Sequence, residues 1–237
     1  MSISVLGDIH GIFIPIVNFC RKNEDKKLQH LIQVGDFGAG FRTSFIDDML
    51  YVDRILREFN VILYIVRGNH DNPKYFFESD TRNKEFTNIK FLNDYEVLSL
   101  DGHNILTLGG AISIDKSIRT KDINWWVDEI YMHDPVRLEK IRDIDVVISH
   151  NAPMFTNPIN FNEIVMSYAK HNSNLIPELL RERLNLTDAF NILKKNNKIN
   201  KWVYGHFHYS YSAKIKGVEF ILLGINELYT LPWKKKK

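Results

Sequence analysis

Ile3-Ser4-Val5-Leu6-Gly7-Asp8-Ile9-His10-Gly11 opens a pattern that recurs along the chain: a short apolar run, then a small residue, then a polar side chain able to bind metal. It returns as Leu31-Ile32-Gln33-Val34 before Gly35-Asp36, and as the apolar run 61–66 before Arg67-Gly68-Asn69-His70. It returns again as Val146-Val147-Ile148 before Ser149-His150, and as Trp202-Val203-Tyr204 before Gly205-His206. Continuous apolar runs of this length suit strands covered on both faces. Helical patterns fall between several of them, at residues 12–22, 44–59, 135–142 and 176–184, the last two with Pro near the start, where it fits a first turn. Strands alternating with helices predict a layered α/β fold. Asp101-Gly102 and Lys216-Gly217 each sit between apolar runs and carry turn chemistry, so two hairpins and a mixed sheet are expected.

The bulk properties bound what this fold can serve. With 237 residues, 44% hydrophobic and 25% charged, the chain has the composition of an ordinary globular protein. No repeat, low-complexity stretch or Pro/Gly/Ser-rich linker divides it, so one domain over residues 1–237 is the simplest expectation. Thirty-one Lys and Arg against 29 Asp and Glu leave a net +2, which gives no global case for nucleic-acid binding. The basic run 234–237 reads as a solvated tail. One cysteine, Cys20, cannot form an internal disulfide, which fits a reducing compartment; it falls in register with Phe13, Ile16 and Val17 and is expected to pack in a core. The apolar run 61–66 is too short to span a bilayer, and the segment before Gly7 reads as a buried strand rather than a cleavable leader. A cytoplasmic protein is expected.

Each polar cluster lies just past the expected C-terminal end of a strand, the edge where ligands gather in open α/β sheets. The residues there are Asp8, His10, Asp36, Asn69, His70, His150, His206 and His208. Any one alone reads more plainly as a helix cap or a satisfied turn residue. Their placement after five separate apolar runs is not a coincidence that the plainer reading explains. Carboxylate, imidazole and amide oxygen together suit Mn, Fe or Zn better than Ca or Mg. Glycine ahead of the ligand lets the chain turn sharply and the site close.

The ordered set Gly7-Asp8-Ile9-His10-Gly11, Gly35-Asp36-Phe37-Gly38, Gly68-Asn69-His70-Asp71, Ser149-His150 and Gly205-His206-Phe207-His208 resembles the calcineurin-like metallophosphoesterases, in their bacterial or phage-type form. The resemblance implies a sandwich of two mixed β-sheets flanked by helices. It implies that Asp8, His10, Asp36 and His208 hold one divalent ion and that Asp36, Asn69, His150 and His206 hold a second, with Asp36 bridging. Mn²⁺ is the first choice of metal, with Fe or Zn as alternatives. His70 would not be a ligand but would sit beside the phosphate and protonate the leaving oxygen. The implied activity is hydrolysis of a phosphate mono- or diester by a metal-bound hydroxide, since two cations roughly 3.5–4 Å apart neutralise the phosphate and activate water. The rival reading is a catalytically silent interaction scaffold on the same fold.

Departures from the pattern narrow the substrate. Where phosphoprotein phosphatases of this superfamily extend the second motif with Asp and Arg, this chain has Ala39 and Gly40. Arg42 or Arg67 could replace the missing arginine, though Arg67 could equally brace its loop through backbone carbonyls. The segment Gly109-Gly110-Ala111-Ile112-Ser113-Ile114-Asp115, followed by Arg119, Trp125-Trp126 and Glu129, resembles a subgroup of uncharacterised members. There Arg119 is a candidate phosphate contact, and the tryptophans either border the site or pack on the core. A small-molecule or nucleotide phosphate ester is the expected substrate, with nucleic acid and membrane as partners disfavoured. Residues 154–200 are expected to form surface helices over one side of the mouth of the site, with a cap that selects substrate as the alternative.

Overall fold

The structure, a computed structural model, describes residues 2–41 and 44–232. Arg42 and the basic run 234–237 lie outside the described residues. The first half of the chain gives β1 (Ser2–Leu6), α1 (Ile14–Arg21), β2 (Gln29–Gln33), α2 (Phe45–Glu58), β3 (Val61–Ile65), α3 (Lys74–Phe77), α4 (Ser79–Arg82) and β4 (Ile89–Phe91). The rest gives β5 (Val97–Leu100), β6 (His103–Leu108), α5 (Pro135–Leu138), β7 (Val146–Ser149), α6 (Glu163–Ala169), α7 (Leu175–Asn196), β8 (Lys201–Tyr204), β9 (Tyr211–Ile215), β10 (Val218–Leu222) and β11 (Leu228–Thr230).

These strands build two mixed sheets, ordered β11-β1-β2-β3-β4 and β5-β6-β7-β8-β10-β9. β1 to β4 run parallel, with β11 antiparallel on the edge. In the second sheet β6, β7, β8 and β10 run parallel, flanked by the antiparallel hairpin partners β5 and β9. Both expected hairpins form. The three-residue strands β4 and β11 were not legible, being too short for a periodic signal.

Alternation along each strand assigns its two faces. Ile3, Val5, Ile32, Ile105, Val146, Ile148, Val203 and Ile221 meet in the layer between the sheets. Leu6, Leu31, Leu63 and Ile65 face outward onto α1 and α2, through Ile16, Cys20, Met49, Val52 and Leu56. Leu106, Val147, Trp202, Tyr204 and Phe220 face outward onto α7, through Leu186, Ala189, Phe190 and Leu193. Burial on both faces is why the strands read as continuous apolar runs rather than alternating ones.

The expectation for residues 154–200 needs correction. α7 is 22 residues long, and its apolar face covers the second sheet rather than only bordering the mouth. Its Asn residues are middling helix formers, and tertiary packing decides the outcome.

Register then fixes the site. Leu6, Gln33 and Ile65 pair across the first sheet, and Leu108, Ser149 and Tyr204 across the second, so the parallel strands end along common edges. The polar clusters follow those ends. His206 N donates to the Asp8 carboxylate at 2.9 Å, tying the edge of one sheet to the edge of the other.

Candidate functional site

The loops at this edge are tight. Asp36, His10, His206 and His208 all adopt positive φ, at 55°, 46°, 72° and 61°. Non-glycine residues seldom hold that region, and such strain concentrates at functional sites. Two glycines admit the close approach of neighbouring strands: a Cβ on Gly205 would overlap Asp8 Oδ1, and one on Gly68 would overlap the backbone N of Asp36. This is the packing role of the small residue before each polar cluster.

Two groups of inward-turned side chains result. Asp8, His10, Asp36 and His208 form one, and Asp36, His150 and His206 the other, with donor atoms in each within 4.8 Å of one another. Asp36 belongs to both. Its Oδ2 faces His10 Nε2 at 3.8 Å, and its Oδ1 faces His150 Nε2 at 3.1 Å. In the first group His10 Nε2 and His208 Nε2 approach to 3.0 Å, and His208 Nε2 lies 3.3 Å from Asp8 Oδ2. In the second, Asn69 Oδ1 lies 3.0 Å from His150 Nε2.

The residues present fit divalent ions. His150 donates Nδ1–H to Val34 O at 3.1 Å, which leaves Nε2 as the nitrogen facing Asp36 and Asn69. Histidines that ligate metals characteristically give their other N–H to a carbonyl or carboxylate in this way. Burial opposes protonation of His150, but the charge and hydrogen bond of Asp36, with Asp8 and Asp71 behind it, lift its pKa to about 9. Burial alone would raise the Asp36 carboxyl; the charges of His150, His70 and His10 hold it well below the usual carboxylate range. A centre that draws a proton onto a fully buried imidazole is one that attracts a cation. Burial drives His206 well below its ordinary value, and the hydrogen bond to Asp8 raises His208.

A second tier of buried groups holds these loops, and sequence reasoning assigned it no role. Asp71 accepts from Gly38 N, Ala39 N and Gly68 N at 2.7 to 2.8 Å, so one carboxylate fastens the Asp36 loop to the Asn69 loop. Asn151 donates to Glu182 of α7, which also accepts from Ile112 N and Tyr131 N. Ser113 receives the Asn69 amide and is itself held by Glu129. The only signal for Asp71 was its position directly after His70. Glu182 gave none: it and its neighbour Arg183 are both charges on the buried face of α7.

Arg67 is fully buried and donates to the carbonyls of Asp128, Glu129 and Ile130 and to Asp94 Oδ2. It braces the chain and is not available to a phosphate. Arg119 is placed differently. Its Nη2 donates to His70 Nε2 at 2.7 Å, while Asp115 holds its Nε at 2.8 Å. Phe41 stacks on His70 with ring centroids 5.6 Å apart, and Trp126 packs edge-on against Phe41. His10, Gly11, Gly38, Phe41 and His70 line a cavity of about 190 Å³ beside the first group. Trp126 is buried, so it supports the cavity wall from behind. Burial lowers the pKa of His70, with the charge of Arg119 adding to that effect and Asp36 opposing it.

Among the described residues no helix is long and apolar enough to cross a membrane. A search of curated proteins gave no match. Among solved structures, the chain is similar to phosphopantetheinyl hydrolase from Mycobacterium tuberculosis, with 17% identity, TM-score 0.53, and coverage of 95% of this chain and 90% of that one. It is similar to a dimetal phosphatase from Danio rerio, with 11% identity, TM-score 0.57, and coverage of 95% and 87%. At these identities the likeness is one of fold. The model of the calcineurin-like phosphoesterase family matches residues 1–210, which takes in β1 to β8 and every residue of the two inward-turned groups. The chain belongs to the calcineurin-like phosphoesterase family.

Proposed function

We propose that the protein is a dinuclear metal-dependent phosphoesterase acting on a small-molecule or nucleotide phosphate ester. The observation that carries this reading is the placement of Asp36, whose two carboxylate oxygens face two separate clusters of metal-binding side chains. A carboxylate so placed is suited to bridge two cations. Asp8, His10, Asp36 and His208 would hold one ion; Asp36, Asn69, His150 and His206 would hold the other. Bound there, the ions would supply charge neutralisation at phosphorus and activation of the nucleophile. Mn²⁺ is the metal we favour, with Fe or Zn as alternatives, because the donors are carboxylate, amide oxygen and imidazole.

The remaining chemistry belongs to His70 and Arg119. Arg119 always donates, so in the substrate-free site the Nε2 of His70 is an acceptor. A phosphate entering the cavity offers oxygens that compete for the guanidinium. Arg119 would then turn to the substrate, and His70 would take up a proton under the phosphate charge and deliver it to the leaving oxygen. Phe41, packed flat on the imidazole, keeps water from one face of it. Cys20 is buried and its thiol is pushed up to about 12 by that burial, which makes it inert and is compatible with a cytoplasmic setting.

The test is to strip the protein with chelator, restore Mn²⁺, and compare hydrolysis of a nitrophenyl phosphate monoester with that of the bis-ester. Turnover that returns with the metal is expected, and the preferred ester separates phosphatase from phosphodiesterase. Protein that binds no metal and hydrolyses neither ester would overturn the reading in favour of an interaction scaffold.

A further inference from the structure

The chain between Gly110 and Ile130 leaves the second sheet, passes the cavity and returns to where it began. Both of its ends are pinned on one residue. Gly110 N donates to Arg67 O at 2.7 Å, and the Arg67 guanidinium donates to the carbonyls of Asp128, Glu129 and Ile130. Arg67 directly precedes Gly68-Asn69-His70, so this strap is anchored beneath the two residues it overlies. It delivers Arg119 to His70, and it delivers Ser113 and Glu129 to Asn69.

When Glu129 is ionised, above a pKa that burial raises to about 7, the hydrogen bonds on the Asn69 side have a forced direction. Ionised Glu129 only accepts, taking the Ser113 amide at 2.7 Å on Oε1 and the Ser113 hydroxyl at 2.9 Å on Oε2. The single hydroxyl proton is thereby committed, and Ser113 Oγ meets Asn69 as an acceptor. Asn69 must present its NH₂ to Ser113, at 3.0 Å, and its Oδ1 to the opposite side, 3.0 Å from His150 Nε2. Ser113, Glu129 and Asn69 are all at most 2% exposed, so water does not compete for these bonds. An isolated amide has two nearly equivalent orientations; this relay leaves one.

We infer that Ser113 and Glu129 are positioning residues that set the orientation of the Asn69 amide and with it the affinity of the second metal group. The inference rests on the dinuclear reading above. Neither residue touches substrate or the reacting atoms; both act through Asn69.

Glu129→Gln gives the sharpest test, because it preserves shape and inverts the relay. The glutamine oxygen must still accept from Ser113 N, so its NH₂ faces Ser113 Oγ and donates to it. The hydroxyl proton is then free to point at Asn69, which turns its oxygen away from the metal group. Ser113→Ala removes the hydroxyl altogether. The full-length protein, stripped and titrated with Mn²⁺ in a calorimeter at a pH well above 7, where Glu129 is ionised, should show two classes of site in the wild type. In both variants the affinity of one class should fall by about 10- to 100-fold, the usual cost of losing a partner of a metal ligand, while the other class is unchanged. The unchanged class is the control for folding, since general damage would weaken both. Two undisturbed classes, or two weakened together, would overturn the inference while leaving the dinuclear reading standing. A wild type holding fewer than two ions would overturn both.

Discussion

The two inward-turned groups differ in how they are held. In the first, His10 and His208 have side chains 26% and 43% exposed, and they lean on one another and on Asp8. In the second, His150 is fully buried and Asn69 nearly so, and each is bound from behind, His150 by Val34 O and Asn69 by Ser113. The second group is preorganised by the protein; the first lies open to the cavity beside His70. Preorganisation favours retention, and exposure favours exchange and access to substrate. On the dinuclear reading, the buried side would serve anchoring and the open side turnover.

Asp36→Asn strikes both groups at once, because it weakens the residue they share. kcat should fall by about 10³-fold, the scale of losing one preorganised charge at a reacting centre. The melting temperature should hold, since asparagine Oδ1 can still accept the His70 amide as Asp36 does. Near-normal turnover would remove Asp36 from the centre of the account.

His70→Ala tests whether the cavity wall is separable from the metal groups. kcat should drop by about 10²-fold, as for loss of a general acid, with bound metal unchanged by elemental analysis. Loss of metal with the side chain would make His70 part of the ligand set and erase the distinction. Arg119→Ala, one step further out, should raise KM about tenfold and lower kcat less, consistent with one charge-assisted contact to the phosphate. Unchanged steady-state kinetics would return Arg119 to a loop-bracing role.

The last effect is on stability rather than rate and concerns the support behind the buried group. Burial raises the pKa of Glu129 from 4.5 to about 7, against the hydrogen bonds of Ser113. Native protein therefore binds more protons than unfolded protein across that interval, and Glu129 costs stability as pH rises through it. In metal-free protein, the stability difference between wild type and Glu129→Gln should move against the wild type by on the order of 3 kcal/mol between pH 4.5 and 7. Parallel denaturation curves at both ends of the range would show that Glu129 is not desolvated as the structure places it.

The inward-turned residues were legible in the sequence because of the strands that precede them. Val5 and Leu6, or Val147 and Ile148, are apolar in succession since each lies between two packed layers, and the first polar residue after such a run must stand at the sheet edge. The relay to Asn69 was not legible. Ser113 lies 44 residues from Asn69, and nothing local in Ile112-Ser113-Ile114 distinguishes it from a serine in any loop. Asp71 and Glu182 were equally opaque, because their partners are backbone amides on other loops and backbone amides leave no mark in a sequence. The length of α7 was hidden by its Asn residues. The spacing of Leu179, Leu186, Ala189, Phe190 and Leu193 carries the buried face through them.

Anomalous diffraction from crystals soaked in Mn²⁺ tests the central claim most directly. Two peaks are predicted, roughly 3.5–4 Å apart, one on the Oδ2 side of Asp36 among Asp8, His10 and His208, the other on the Oδ1 side among Asn69, His150 and His206. A single peak, or a pair that Asp36 does not separate, would contradict the dinuclear centre.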